Sequence, residues 1–367
     1  MYIHERKDWP EFKWDQAKLA GRLADVRHWQ GRLLGRMEAL GFQSRAEATL
    51  QTLTQDVVKT SEIEGEKLDA AQVRSSLARR MGMDIGALPP IDRNVEGMVE
   101  VMLDATRNYV KPLTPERLFD WQAALFPTGR SGIRRITVGG WRSGESGAMQ
   151  VVSGPLGREQ VHYEAPGHER LQKEMARFIK WCDGASDIDP VIKSALAHFW
   201  FVTIHPFEDG NGRIARAIAD LMLSRSEKSA QRFYSMSSQI QRERNAYYDV
   251  LESCQQGTLD ITAWMEWFLN CLKHALGSTE HLLESVLTKA HFWKAHAGGS
   301  FNERQHKVIN RMLDGFEGKL TSSKWAKLTQ CSQDTALRDI SDLAARNILA
   351  KDEAGGRSTS YSLVLPS

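Results

Sequence analysis

Hydrophobic and polar positions along the chain recur mostly at helical spacing. Leu19, Leu23, Val26, Trp29, Leu33, Leu34, Met37 and Leu40 lay one apolar stripe along residues 15–42, the pattern of an amphipathic helix. Ser44 with Glu47 reads as a capping box that opens the next helix. Thr114-Pro115-Glu116 supplies a capping hydroxyl, a proline at the first helical position and an acid near the positive end. Asp189-Pro190 repeats that logic and predicts a helix running to about Ile204. Alternation of period two is scarce, so the chain is expected to be mainly α.

Two regions depart from the helical pattern. Residues 129–168 are rich in glycine, and within them MQVV and EQVHY flank SGPLGR. That predicts a β-hairpin at about 149–163 projecting from a helical body. Ala297-Gly298-Gly299-Ser300 marks a linker after a helix at about 278–296. Beyond it, helices are expected from Asn302, from Thr321 to Leu328 and after a Ser332 cap, followed by two short strands around a glycine turn. Three helices and a β-wing resemble a small winged helix-turn-helix domain, with Gln333, Thr335, Arg338 and Arg357 as candidates for DNA contact. Residues 303–358 hold ten Lys/Arg against eight Asp/Glu, so no strongly basic face emerges and protein docking stays open beside DNA binding.

Composition narrows the class of protein. With 41% hydrophobic and 26% charged residues over 367 positions, the chain is long enough to bury a substantial core without disulfides or structural metals. The formal charge of +2 gives no field for nonspecific nucleic-acid binding. Cys182, Cys254, Cys271 and Cys331 lie far apart, against a disulfide framework and in keeping with a reducing cytoplasmic setting. The opening MYIHERKDWPEF has no apolar leader, and the most apolar run, Ala195 to Ile204, is about half a membrane span and contains His198. No membrane partner is expected.

The chemistry concentrates in Phe199 to Leu223. Proline ends a helix at His205-Pro206, a tight loop follows, and Asn211-Gly212 opens a second helix carrying Arg213 and Arg216. Gly210-Asn211-Gly212 lets backbone N–H groups converge on an anion at a helix N-terminus. Arg213 and Arg216, three apart on one face, can hold further phosphate oxygens. Asp209 beside such a site would repel bare phosphate and so points to a bridging Mg²⁺. His205 is the nearby group able to accept a proton near neutral pH. These are the parts for transfer from a nucleotide to a hydroxyl. Gly210-x-Gly212-x-x-Ala215 also matches a dinucleotide fingerprint, but no βαβ series surrounds it. A calcium loop fails because Ile214 stands where glycine is required.

HPFEDGNGRIAR, His205 to Arg216, resembles the signature HPFx[DE]GNGRxxR of the Fic family at every fixed position. The resemblance implies a Fic-type helical core with a β-hairpin flap and transfer of AMP from ATP to a protein hydroxyl. It implies His205 as the base, Asp209 as the Mg²⁺ ligand, and Gly210, Asn211, Gly212 and Arg213 around the phosphates, with Arg216 on the γ-phosphate. Relatives of the Doc type, which transfer phosphate, carry lysine where this chain has Gly212. The hairpin matches the flap that registers a target segment, and Tyr247, Tyr248 and Gln255 fall where relatives contact adenine.

Upstream, Thr60-Ser61-Glu62-Ile63-Glu64-Gly65 resembles the family's inhibitory pattern [ST]xxxE[GN]. That implies Glu64, on a helix, pairing with Arg216 and turning ATP into a nonproductive orientation. In some relatives the equivalent glutamate also serves removal of AMP. The opening of the chain resembles a helical extension found on a bacterial subset of the family. The expected organisation is an N-terminal helical region with the inhibitory helix (1–110), a catalytic core (111–277), a connecting helix and linker (278–300) and the winged domain (301–367). The expected partner is a target-protein hydroxyl, with self-modification and a homodimer also in view. A DNA-binding regulator using the core as a nucleotide sensor is the alternative.

Overall fold

In the computed structural model, residues 1–38, 41–83, 91–144, 147–154, 158, 160–313, 318–352 and 359–366 are described. The chain divides into two compact units, one formed by Met1–Ala39 with Thr49–Ser278 and the other by Leu40–Ala48 with Thr279–Ser367.

Helices follow the predicted caps closely. After a 3-10 turn at Ile3–Glu5, α1 spans Gln16–Glu38 and buries Leu19, Val26, Leu33 and Met37. Helix α2 spans Phe42–Ile63. The expected start at Ser44 is therefore too late: Arg45 N–H already donates to Gly41 O at 3.1 Å, and Ser44 lies inside the first turn. Helices α3 (Ala70–Arg80), α4 (Arg93–Arg107) and α5 (Pro115–Leu125) follow. Thr114 caps α5 through the Arg117 N–H at 3.1 Å, with Pro115 at the first position as expected. Two short strands, β1 (Arg130–Ser131) and β2 (Arg134–Arg135), pair antiparallel.

The glycine-rich segment forms the predicted hairpin, β3 (Gln150–Ser153) against β4 (Gln160–Glu164), with a register shift between Val151 and Val152. Half of its expected turn SGPLGR, residues 155–157, lies outside the described residues. Helix α6 is His168–Asp183, α7 Pro190–Ile204 and α8 Asn211–Glu227. Asp189 caps α7 through the Val191 N–H at 2.8 Å. Every residue from Ala195 to Ile204 is buried, so the most apolar run of the chain is the central helix of this unit and is apolar all round. Helix α8 packs along it, with Ser194 Oγ donating to Ala219 O at 2.9 Å. Helices α9 (Met236–Arg242) and α10 (Arg244–Gln255) follow.

The helix expected at 278–296 is the second half of α11, which runs Thr262–Ala295. The second unit adds α12 (Glu303–Leu313), α13 (Ser322–Thr329), α14 (Gln333–Ala345) and an antiparallel pair, β5 (Leu349–Lys351) with β6 (Tyr361–Leu363). Its starts are local chemistry. Asn302 and Gln305 exchange side-chain-to-backbone bonds at 2.9 and 3.0 Å, Thr321 caps α13 and Ser332 caps α14. Trp325, Ile309, Ile340 and Leu343 form its core. Among the described residues, no helix is long and apolar enough to cross a membrane.

Candidate active site

The loop joining α7 to α8 is built by short-range constraints. His205 closes α7 in the left-handed region, φ 52° and ψ 59°, with its N–H still bonded to Phe201 O at 3.0 Å. Holding a non-glycine residue there requires support from its surroundings, and a buried arginine supplies it. Arg142 Nε donates to His205 O at 2.9 Å, its Nη2 to Pro166 O, and its backbone N–H to Pro206 O at 2.9 Å. Asn211 staples the other end: its side chain accepts from Phe207 N–H at 2.9 Å and donates to Phe207 O at 2.8 Å. Gly210, φ 90°, makes the turn into α8.

His205 Nδ1 lies 3.1 Å from Val202 O, so the ring carries its proton on Nδ1 and leaves the Nε2 lone pair available. Burial pulls its pKa below the ordinary histidine value, against the opposing Val202 bond, and Arg142 lowers it further. The imidazole is thus neutral near pH 7. Asp209 accepts a hydrogen bond from Ser131 Oγ. The first-turn N–H groups of α8 have no intrahelical acceptor and face outward as an anion cradle.

The chain's own Glu64 stands beside this helix start, next to Gly212. Helix α2 stops at Ile63 in a Schellman turn: Glu66 N–H reaches Ser61 O at 3.0 Å, and Gly65 N–H reaches Glu62 O at 3.0 Å. Gly65 takes φ 84°, which glycine or asparagine adopts at least cost. Glu64 is therefore the capping residue, one position past the helix on which it is expected. Its Oε1 accepts from Arg216 Nη2 at 2.7 Å, and a Cβ placed on Gly212 would stand 2.1 Å from that same oxygen. Arg216 is 2% exposed. Its Nε donates to Thr60 Oγ1 at 2.7 Å and its Nη2 to Thr60 O at 2.9 Å. Burial works against its charge, yet the Glu64 carboxylate and Tyr247 hold its pKa above the ordinary arginine value. Its Nη1 has no hydrogen-bond partner among the described residues and would lie 3.4 Å from a Cβ on Gly212, so it faces the cradle. One residue past the turn glycine, Glu66 pairs with Arg213 at 2.7 Å.

These groups border a cleft of about 490 Å³ lined by Glu64, His205, Gly212, Tyr248, Gln255 and flap residues of β3 and β4. Gln255 is buried and donates to Thr203 Oγ1 at 3.2 Å. Tyr248 is 38% exposed, with Arg244 over its ring. Tyr247 is buried among Trp264, Trp267 and His198, its hydroxyl 3.0 Å from His198 Nε2, so it packs the helix.

His205, Asp209, Gly210, Asn211, Gly212, Arg213, Arg216 and Glu64 thus come together in one place, with Tyr248 and Gln255 along the cleft. Gln333, Thr335 and Arg338 lie in the second unit at the start of α14, where Gln333 and Arg338 are exposed; Arg357 lies outside the described residues. Sequence reasoning missed three residues. Thr60 was named without its contact to Arg216. Glu66 was signalled only as a second acid just past the glycine. Arg142, 63 positions from His205, has no local signal.

Comparison with known proteins agrees with this architecture. Residues 112–223 match the Fic/DOC family, and residues 2–83 match a domain of unknown function (DUF4172). The chain is 26% identical over 270 residues to Protein adenylyltransferase Fic of Culex quinquefasciatus, covering 71% of this chain and 48% of that protein. It is 26% identical over 220 residues to that of Drosophila melanogaster, covering 58% and 39%. It therefore spans less than half the length of these relatives. Its fold is similar to a Fic family protein from Desulfovibrio desulfuricans G20, with TM-score 0.55 and 20% identity over 97% of this chain and 98% of that one. A Fic domain containing signaling protein from Bacteroides thetaiotaomicron gives TM-score 0.52 and 19% identity over 71% and 97%. The chain carries a Fic/DOC domain over residues 112–223, and His205 to Arg216 lie within it.

Proposed function

We propose that this protein is an adenylyltransferase that moves AMP from ATP to a hydroxyl of a target protein and is held inactive by its own Glu64. The observation that carries the reading is a carboxylate of the chain bonded to Arg216 beside Gly212 at the start of α8, in the same cleft as a histidine whose Nδ1 is held by Val202 O. In this reading His205 Nε2 takes the proton of the attacking hydroxyl. A bond forms from that oxygen to the α-phosphorus, the bond from the α-phosphorus to the bridging oxygen breaks, and pyrophosphate leaves. The N–H groups at the start of α8 and the side chain of Arg213 hold phosphate oxygens as charge shifts to the leaving group. Arg216, once freed of Glu64, holds the γ-phosphate. Tyr248 and Gln255 face the base, and the flap carrying Val152 and Val161, both exposed, registers the target segment.

Asp209 would hold Mg²⁺. The donor set fits: Asp209 brings one carboxylate, oriented by Ser131 Oγ, to the turn that opens α8. A single carboxylate completed by substrate phosphates and water is how this ion is usually bound. Bound there, it would neutralise phosphate charge. For the C-terminal unit, Asp334, Arg338 and Asp342 alternate in sign along exposed positions of α14, which favours docking to protein over DNA.

The test uses Glu64→Gly protein with ATP labelled on the α- or the γ-phosphate, beside wild type and Glu64→Gly/His205→Ala, with the protein itself and a cell lysate as acceptors. Label from α only, present in Glu64→Gly and absent without His205, is expected. Label from γ alone would make the protein a kinase and refute the reading.

A further inference from the structure

The stretch before α1 belongs to the matched domain of unknown function, yet it is folded into the same unit as the cleft. Residues 2–15 run as a strap over the elements that carry the chemistry. Arg6 donates twice to Gly257 O, past the end of α10, at 3.2 and 2.9 Å. Trp9 Nε1 donates to Glu174 of α6 at 2.9 Å, and Trp9 and Phe12 set ring edges against Trp200 and Phe199 of α7. Lys13 exchanges backbone bonds with Leu259 and Ile261 at 2.8 and 2.9 Å.

The end of the strap nearest the reacting groups is His4. It is 6% exposed, and its Nδ1 lies 3.0 Å from the hydroxyl of Tyr163, on flap strand β4. Tyr163 is 1% exposed, and its single hydroxyl proton is committed to Thr203 O at 2.8 Å. His4 must therefore donate its Nδ1–H to the phenol oxygen. Thr203 lies two residues before His205, and its own Oγ1 accepts from Gln255 at 3.2 Å. One residue thus joins the flap, the nucleotide wall and the turn that presents the base. Both side chains stay uncharged: burial and Arg170 push the His4 imidazole down, and burial pushes the Tyr163 phenol well up.

We propose that His4 and Tyr163 are positioning residues: the strap, acting through Tyr163 on the Thr203 carbonyl, fixes the flap strand against the turn that carries His205. This rests on the transfer reading for its consequence, because a hydroxyl held by the flap reacts only if its distance to His205 is set. It gives the first residues of the domain of unknown function a part in the site, separate from the inhibitory role of Glu64.

The test compares His4→Leu, His4→Asn and Tyr163→Phe in the full chain. Asparagine places an N–H near the position of the histidine Nδ1–H. In hydrogen exchange, the amides of residues 161–164 should exchange at least tenfold faster in His4→Leu and Tyr163→Phe, with those of α8 unchanged and His4→Asn close to wild type. Unchanged β4 amides would overturn the proposal. So would equal acceleration of β4 and α8, or a failure of asparagine to restore protection, since either marks a purely structural residue. In the Glu64→Gly background, His4→Leu should lower the rate of α-label transfer at least fivefold while the KM for ATP stays within twofold; an unchanged rate overturns the positioning role. If Glu64→Gly alone transfers no α-label, the transfer reading fails, and the exchange measurement still decides the link from strap to flap.

Discussion

Removing the Glu64 carboxylate is the most informative perturbation. Glu64 and Arg216 meet at 2.7 Å, with side-chain exposures of 31% and 2%. Two unit charges about 4 Å apart attract by about 4 kcal/mol at an effective dielectric near 20. Desolvation of the buried guanidinium and the part-exposed carboxylate offsets part of this, leaving about 2–3 kcal/mol, the range of a charge-assisted hydrogen bond. If Glu64 inhibits by occupying the cradle, Glu64→Gly should raise α-label transfer by about 30-fold to 150-fold, at 1.4 kcal/mol per factor of ten. Glu64→Gln, which keeps the acceptor and loses the charge, should fall between wild type and glycine. The same change leaves Arg216 buried with no carboxylate on it, held by Thr60. The apo protein should therefore lose about 1–3 kcal/mol of stability. ATP should then raise Tm more in the variant than in wild type, because triphosphate replaces the missing charge. Equal transfer rates in wild type and Glu64→Gly, with equal ATP-induced shifts in Tm, would refute the inhibitory role.

Three further outcomes follow from the same geometry. Gly212→Ala places a Cβ 2.1 Å from Glu64 Oε1 and displaces the flexible end of that side chain; by urea unfolding it should cost about 1–3 kcal/mol alone but less than about 0.5 kcal/mol in Glu64→Gly, and additive effects would rule out this contact. Glu66→Gln breaks the pair with Arg213, whose partner carboxylate is 46% exposed, so an exposed-pair value of about 0.2–1 kcal/mol applies. Transfer should rise only about 1.4-fold to 5-fold, less at high salt, and no rise at low salt would dismiss Glu66 as a second restraint. His198 is pushed down to about 3 by burial and by Arg216. The unfolded chain therefore binds the extra proton below about pH 6.5, and stability is lost as pH falls at about 1.4 kcal/mol per unit. Unfolding free energies from urea titrations at pH 7.5 and 5 should differ by about 2 kcal/mol from this residue and should converge in His198→Gln; a flat profile in wild type would contradict the burial argument.

Signals that act within a few residues were legible along the chain. Asp189-Pro190, Thr114-Pro115, Thr321 and Ser332 mark helix starts because a capping oxygen reaches N–H groups two or three positions away. His205-Pro206 and Gly210-Asn211 break and restart the helix for equally local reasons. Where such signals compete, reading them is less secure. Ser44 looks like a cap, yet the helix is already running at Phe42, and the glycine-poor stretch from Thr262 continues as one helix through the point where a new one was expected. Tyr247 and Tyr248 are neighbours in sequence and both border the cleft, but only packing makes the first a buried residue and leaves the second 38% exposed.

The sequence alone determined the reacting set, because His205, Asp209, Gly212, Arg213 and Arg216 are brought together by one loop and the first turns of one helix. Tertiary structure decided what meets that set. Thr60 reaches Arg216 across 156 positions, Glu66 reaches Arg213 across 147, and His4 reaches Tyr163 across 159. No local rule carries those pairings. They depend on where the end of α2 is stopped by Gly65 and on how the strap lies over α7, and both are set by burial of apolar faces contributed from distant parts of the chain.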